Sequence, residues 1–155
     1  MIEPGTIVGE RYTVLRFIGR GGMQDVYCAR DQLLDIDVAL KTPQNDQAAK
    51  RFKTSAMVAA KVNHHNIAKT LDYLDTEPGE YLIEEFIDGE TLDQKQARLG
   101  IIEPHMGAQI LHLLAKGVAA SHRANVVHRD LKPSNVMATL GVNICDLKIT
   151  DFGIA

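Results

Sequence analysis

The two halves of the chain have different hydrophobic patterns, which limits the folds that it can adopt. Residues 11–40 contain short β-branched and aromatic runs separated by glycine and aspartate turns, a pattern typical of antiparallel strands. Residues 47–62 and 103–124 instead carry apolar side chains at helical spacing, and Pro104 suits the first position of a helix. Strands followed by helices predict an α+β fold with two lobes.

Further short strands are predicted downstream of the first sheet pattern. They lie at residues 67–74, 81–87, 136–138 and 147–150, with a turn at 77–79 between the first two. After Gly89 the chain is predicted to be helical, and the clearest helix ends near residues 123–125. No internal repeat or low-complexity linker interrupts this order.

Length, charge and cysteine content exclude several classes of protein. The 155 residues are enough for one domain, and the net charge of −3 argues against a nucleic-acid-binding surface. Cys28 and Cys145 lack zinc-type spacing, so we expect reduced thiols in a cytoplasmic protein. No signal peptide is visible, and no stretch approaches the ~18 apolar residues of a membrane span.

The most specific motif is HRDLKPSN at residues 128–135. It places a lysine two residues and an asparagine five residues after an aspartate, and DFG follows at residues 151–153. In this order the two segments resemble the catalytic loop and metal-binding motif of eukaryotic-type protein kinases, in particular the bacterial serine/threonine kinases. VALK at residues 38–41 resembles the third strand of the same family.

The resemblance implies roles for the polar residues of these motifs. Phosphoryl transfer depends on positioning and on neutralising charge rather than on covalent help from the protein. Asp130 would accept or orient the proton of the substrate hydroxyl, and Lys132 would steady charge on the γ-phosphate. Asn135 and Asp151 would hold Mg²⁺.

The resemblance also implies an ATP site. Glycines near residue 20 let backbone N–H groups approach phosphates closely, although Gln24 stands where the family has a further glycine. Lys41 would contact the α- and β-phosphates, and the backbone of Glu85 and Ile87 would bond to adenine. The residues expected to bind the nucleotide are Ile18, Gly19, Arg20, Gly21, Gly22, Met23, Gln24, Asp25, Val26, Ala39, Lys41, Glu85, Ile87 and Met137.

Two positions depart from the family pattern. Ser55 stands where the small-lobe helix should carry a glutamate that pairs with Lys41. Glu84 precedes the connector between lobes, and strand alternation puts it on the same face as Leu82, toward the adenine pocket. A buried carboxylate needs a cation or a proton, so we hypothesise that Glu84 replaces the missing glutamate as the partner of Lys41. Alternatively, Glu84 turns outward or the site has decayed.

The resemblance covers residues 10–155 and implies an ATP- and Mg²⁺-dependent serine/threonine protein kinase acting on a protein substrate. Lys132 favours serine and threonine over tyrosine as acceptors. Residues 10–87 would form a complete small lobe with its connector, and residues 88–155 the beginning of a truncated helical large lobe.

Other functions remain open at the level of the sequence. Small-molecule phosphotransferases share the aspartate-to-asparagine spacing but seldom the Leu-Lys-Pro run. A non-catalytic nucleotide-binding module, or pseudokinase, is favoured by Ser55 and opposed by the intact Asp130 and Asp151. The activation segment that follows DFG in the family is absent, so we expect the chain alone to be inactive. The missing C-terminal kinase region would be supplied in cis or in trans.

Overall fold

The computed structural model describes residues 1–139 and 146–152. Cys145 and Gly153, both considered above, lie outside the described residues. The chain divides into two compact units, which are treated separately below. Unit 1 comprises residues 1–57 and 70–86, and unit 2 comprises residues 58–69 and the chain from residue 87 onward.

Unit 1 is built on an antiparallel sheet with the strand order β1-β2-β3-β4-β6-β5. Its strands are β1 (Ile7–Val8), β2 (Tyr12–Arg20), β3 (Gln24–Asp31), β4 (Ile36–Pro43), β5 (Thr70–Thr76) and β6 (Gly79–Glu85). Alternation along β4 sends Val38 and Leu40 into a core that also contains Tyr27 and Ile83. The intervening residues of β4, Ala39 and Lys41, therefore lie on the opposite face of the sheet.

Helix α1 (Asp46–Ala59) packs on that opposite face. It begins after Asn45, whose Oδ1 accepts a hydrogen bond from the Ala48 backbone N–H at 2.9 Å and so caps the first turn. Phe52 and Ala56 of the helix are buried against Leu82 of β6. The last two residues of α1 belong to unit 2.

Unit 2 combines helices with a second antiparallel sheet of order β7-β8-β9. Its elements are β7 (Gly89–Thr91), α2 (Leu92–Leu99), α3 (Pro104–Arg123), a 3-10 turn (Pro133–Asn135), β8 (Val136–Thr139) and β9 (Leu147–Ile149). The α+β class predicted from the hydrophobic pattern is confirmed.

Helix α3 begins at the predicted proline and ends within a residue or two of the predicted position. Its inward face carries Ile110, Leu114 and Gly117, which lie against two apolar clusters of unit 2. Among the described residues, no helix is both long and apolar enough to cross a membrane.

The predicted strand starting at residue 67 begins instead at Thr70. Residues 66–68 instead pair with β9: Ala68 N donates to Ile149 O, and Ile149 N donates to Asn66 O, both at 2.9 Å. These backbone groups are therefore used within unit 2 rather than in the sheet of unit 1. Strand β7 was also not predicted, because its partner β8 lies far along the sequence.

Candidate functional site

The glycine-rich segment forms a closed hairpin between β2 and β3. Gly21 N donates a hydrogen bond to Gln24 O at 2.8 Å, which makes a tight turn. The Gln44 amide donates from Nε2 to both Gly21 O and Gln24 O, at 2.9 and 3.0 Å. Gln24 itself is buried at the start of β3. The hairpin is therefore held in one shape by a side chain that follows β4.

An ion pair also closes this hairpin. The Arg20 guanidinium donates from Nε and Nη2 to the two carboxylate oxygens of Asp25, at 2.8 and 3.2 Å. This contact, with a smaller contribution from Gln44, holds the pKa of Asp25 below its usual value. Both residues were predicted to bind the nucleotide, but their mutual pairing was not. Their side chains brace the loop, while the turn between them carries the backbone N–H groups of Gly22 and Met23 in addition to the Gly21 N–H that bonds to Gln24 O.

The next part of the candidate site lies on the face of the sheet that helix α1 partly covers. In the register of the strands, Lys41 stands opposite Val26 on one side and Leu82 on the other. Ala39 stands opposite Glu84. Because paired residues of an antiparallel ladder share a face, all five side chains lie on the same side of the sheet.

Lys41 and Glu84 form a buried ion pair on this face. Nζ of Lys41 lies 2.6 Å from Oε2 of Glu84, and the two side chains are only 6% and 5% exposed. The predicted contact is confirmed, and Glu84 does not turn outward. Two charges so far from water are tolerated only when each neutralises the other and further polar contacts support them.

Ser55 lies on α1 and is buried, as expected for the helix position that faces the sheet. It supplies a hydroxyl group where the family pattern has a carboxylate. Unit 1 thus keeps the lysine and a paired carboxylate, but the carboxylate comes from strand β6.

The remaining residues predicted to contact adenine are distributed between the two units. Ile18 lies on β2 and is 44% exposed, and Glu85 is the last residue of β6. Ile87 and Met137 belong to unit 2, where Met137 lies on β8 opposite Thr91. Both are half-buried.

Within unit 2 the structure brings Asp130, Lys132 and Asn135 together. Nζ of Lys132 lies 2.8 Å from Oδ2 of Asp130. Nδ2 of Asn135 donates to the Asp130 backbone carbonyl at 2.9 Å and to its Oδ2 at 3.2 Å. The lysine ammonium group, followed by the asparagine amide, lowers the pKa of Asp130. The Asp130 side chain is 45% exposed, so an ionised carboxylate is presented to solvent at neutral pH.

His128 and Thr150 fix the backbone of this loop through hydrogen bonds. Nδ1 of His128 accepts the Asp130 N–H at 3.2 Å, and Nε2 lies 2.8 Å from Thr150 O. Because a carbonyl can only accept, Nε2 carries the proton in the neutral ring. Thr150 N in turn donates to Asn135 O at 2.9 Å, so one network fixes the backbone around Asp130 and Asn135.

Phe152 anchors the DFG segment in the core of unit 2. It is buried in a cluster with Ala59 and Ile67, and its ring meets that of His128 edge to face at 4.5 Å between centroids. The preceding residue, Asp151, has a left-handed φ of 61°, and Arg129 has a φ of 69°. Backbone conformations of this kind are uncommon for residues other than glycine, and they concentrate at functional sites.

The donor set of Asn135 and Asp151 fits a magnesium ion. Carboxylate and amide oxygens are hard ligands, and Mg²⁺ is usually bound by one or two protein groups together with phosphates and water. The two hydrogen bonds from Asn135 Nδ2 to Asp130 use the nitrogen of the amide, and the amide oxygen remains the atom that can bind a metal ion. Within residues 1–139 and 146–152, no group of three His, Cys, Asp or Glu side chains forms a metal cage.

Two supporting residues, Gln44 and Thr150, received no role from the sequence. Gln44 directly follows Pro43 at the end of β4, and only the pairing of β3 with β4 brings it to the glycine hairpin. Thr150 directly precedes the DFG segment, so its position was the only available signal. Hydrogen bonds made by ordinary polar residues leave no distinctive mark in a sequence.

Comparisons with known proteins show the family to which this chain belongs. The model of the protein kinase domain family matches residues 12–155. Serine/threonine-protein kinase PrkC of Bacillus subtilis is 34% identical over 156 residues, covering 97% of this chain and 24% of the relative. A probable serine/threonine-protein kinase PknB of Lactococcus lactis is 35% identical over 161 residues, covering 100% and 25%.

A solved structure gives the same result at the level of the fold. The crystal structure of the PknI kinase domain of Mycobacterium tuberculosis matches with a TM-score of 0.81 and 27% identity, covering 100% of this chain and 64% of that one. The two curated relatives are much longer, and the chain spans 24% and 25% of their lengths. Because the family model matches residues 12–155, the chain belongs to the protein kinase domain family, and the relatives cited above are named as serine/threonine-protein kinases or probable ones.

Proposed function

We propose that this chain carries the ATP-binding and catalytic residues of a serine/threonine protein kinase. The observation that carries the proposal is the arrangement around Asp130, where an ionised, half-exposed carboxylate is oriented by Lys132 and Asn135. Such a carboxylate can accept a proton from a substrate hydroxyl, which is the proton transfer that phosphorylation of serine or threonine requires.

The residues of unit 2 would act on the acceptor. As the hydroxyl oxygen bonds to the γ-phosphorus, the bond from that phosphorus to the β–γ bridging oxygen breaks and ADP leaves. Asp130 takes the hydroxyl proton, and Lys132 offsets charge on the transferred phosphoryl group. Asn135 and Asp151 would hold Mg²⁺, which supplies charge neutralisation at the phosphates when bound.

The residues of unit 1 would hold the nucleotide. The braced hairpin presents backbone N–H groups at Gly22 and Met23 to phosphate oxygens, while the Gly21 N–H closes the turn on Gln24 O, and Lys41 supplies a positive charge. Val26 and Ala39 share the face of Lys41 and offer apolar surface for adenine. The hairpin N–H groups and Lys41 supply polar contacts, and Val26 and Ala39 supply an apolar surface; a small-molecule site usually combines these two kinds of contact.

Several finer points are part of the proposal. We place the small lobe with its connector at residues 10–87 and the beginning of the large lobe at 88–155. The substrates are proteins, the location is cytoplasmic, and a further C-terminal kinase region, supplied in cis or in trans, completes the active enzyme. The pseudokinase alternative finds no support, because the relatives are named as kinases and Lys41 retains a paired carboxylate.

The proposal is tested with the full-length protein. We expect calorimetry to detect Mg-ATP binding, and we expect the protein to phosphorylate a generic basic protein. Asp130→Asn should lower kcat by several orders of magnitude and should still bind ATP. The 155-residue chain alone should bind ATP weakly, with a Kd of ~100 µM or above, and should transfer little or no phosphate. A folded full-length protein that gives no heat with millimolar ATP, or Asp130→Asn with undiminished turnover, contradicts the proposal.

A further inference from the structure

We infer that Glu84 is the residue that positions Lys41, so that a carboxylate on the neighbouring strand, rather than one on helix α1, neutralises this lysine. The inference rests on the proposed function, since it concerns the lysine assigned to the nucleotide phosphates. It adds a positioning residue to the site, and it means that the pairing of strands β4 and β6 sets the orientation of the Lys41 side chain. The positions of the two charges, their burial and the cover provided by α1 each support it.

The sheet register places the two charges together. Ala39 on β4 is directly opposite Glu84 on β6, and Lys41 is directly opposite Leu82. Lys41 and Glu84 are therefore diagonal neighbours on one face, at a spacing that long side chains can bridge. Because the β4–β6 ladder runs from Val38 to Lys41, both ends of the contact are held by backbone hydrogen bonds. Separating the charges would require a break in this ladder or a change of side-chain rotamer.

Because Lys41 and Glu84 are both buried, neither charge can exchange its partner for water. With both side chains at 6% exposure or less, neither charge can be solvated in place. A buried pair of this kind contributes little net stability compared with apolar residues of the same volume, whereas removing one partner is strongly unfavourable. The pair is therefore better explained by the orientation that it imposes on the lysine than by a gain in stability.

Helix α1 covers this face with uncharged side chains. Phe52 and Ala56 contact Leu82, which lies beside the pair on β6, and Ser55 is buried next to them. No carboxylate of the helix is needed to neutralise Lys41, because β6 provides one. A displacement of α1 would change the cover over the pair but would not remove the charge partner of the lysine.

The experiment compares variants of the full-length protein: Glu84→Gln, Glu84→Asp, Ser55→Ala and the double variant Glu84→Gln with Ser55→Glu. The Kd of Mg-ATP is measured by calorimetry, and KM and kcat are measured separately. The rate at which a small acid anhydride acylates Lys41 is followed against pH by mass spectrometry. The anhydride reacts with the neutral amine, so this rate reports the charge state of Lys41 without any nucleotide.

We expect Glu84→Gln to raise the Kd and the KM for ATP about tenfold or more. Its acylation profile should shift to lower pH, because a buried ammonium ion without its carboxylate loses its proton more readily. Glu84→Asp should restore most of the affinity. Ser55→Ala should raise the Kd less than Glu84→Gln does, because it removes a hydroxyl group and leaves the charge partner of Lys41 in place. The added glutamate of the double variant should recover part of the loss.

Asp31→Asn is the matched control. The buried Asp31 forms an ion pair with the partly exposed Arg11 in the same unit, at 2.6 Å, and lies at the opposite end of β3 from Val26. This variant should lower stability without changing the Kd of ATP or the acylation of Lys41. The same loss of affinity in Asp31→Asn as in Glu84→Gln would show that general destabilisation is the cause and would overturn the inference.

Two other results would also overturn it: an unchanged Kd and acylation profile in Glu84→Gln, or a loss in Ser55→Ala as large as that in Glu84→Gln. Failure of the proposed function has a different signature. If the wild-type protein binds no ATP, the acylation profiles still decide whether Glu84 controls Lys41, because they need no nucleotide.

Discussion

Single residues in the candidate site take their chemical state from immediate neighbours. Asp130 is half-exposed, yet its pKa lies below the usual value because Lys132 and Asn135 stabilise the ionised form. Glu84 is buried and is compensated by Lys41. For Asp130 the partners, rather than burial alone, determine which charge state is populated.

The first prediction concerns the acid side of the pH–activity profile. Lys132→Met removes the largest influence that lowers the pKa of Asp130, so this pKa should rise toward or above its ordinary value of 3.8. Asp130 can accept a proton only when ionised, so the acid limb of kcat/KM should move to higher pH. The profile is measured from about pH 3 upward so that it includes the acid limb of the wild type, with circular dichroism to confirm folding at each pH.

Lys132→Arg serves as the control, because it retains a positive charge near Asp130 and should leave the acid limb close to that of the wild type. An acid limb in Lys132→Met that coincides with that of the wild type would show that Asp130 does not depend on this lysine.

At the scale of elements, helix α3 approaches the β9 region more closely than an ordinary side chain would allow. A Cβ added at Gly117 would lie 3.0 Å from Ile149 Cδ1 and 3.1 Å from Asn66 O. Asn66 O accepts the hydrogen bond from Ile149 N, and Ile149 is fully buried, so neither neighbour can move freely. The glycine thus permits the contact between helix and strand in unit 2.

The second prediction uses two glycines of the same helix. Gly117→Ala should destabilise the full-length protein by about 1–3 kcal/mol through overpacking, despite the better helix propensity of alanine. Gly107→Ala should stabilise it by about 0.5–1 kcal/mol. The two differ because nothing lies within 4 Å of a Cβ added at Gly107. Urea unfolding measures both, and a stabilising Gly117→Ala would contradict the packing argument.

At the scale of the whole molecule, carboxylates paired with cations make stability depend on pH. Hydrogen bonds from Arg11 lower the pKa of Asp31 below 3.8. Arginine and lysine partners similarly lower the pKa values of Asp25, Glu90 and Asp130. A group whose pKa is depressed by folding stabilises the native state above its unfolded pKa, and this contribution is lost as pH falls through the folded value.

The third prediction is therefore that the free energy of unfolding falls as the pH is lowered below about 4. Asp31→Asn should be less stable than the wild type at pH 7, and the difference should shrink below pH 3.8, where the unfolded wild-type chain also takes up a proton at Asp31. Urea unfolding at several pH values between 7 and 2.5 tests this. A difference that stays constant down to the lowest pH would show that the Asp31 carboxylate is not linked to stability.

Much of this molecule could be predicted from local sequence. The catalytic segment is contiguous, so residues 128–135 carry their own spacing, and the 3-10 turn at 133–135 brings Asn135 back to Asp130. Helix α3 follows from apolar periodicity and from Pro104. Strand alternation likewise predicted which face Glu84 occupies. In these cases the determining interactions lie within a few residues along the chain.

Only the tertiary structure decided which distant segments meet. Residues 66–68 look like the start of a strand, but their backbone groups pair with β9. Gln44 reaches the glycine hairpin through the β3–β4 register, and the β4–β6 register converts two isolated charges into the Lys41–Glu84 pair. Local pattern determines what each segment tends to form and which side is apolar. Pairing between segments depends on competing long-range hydrogen bonds and on burial, which are settled only when the whole chain packs.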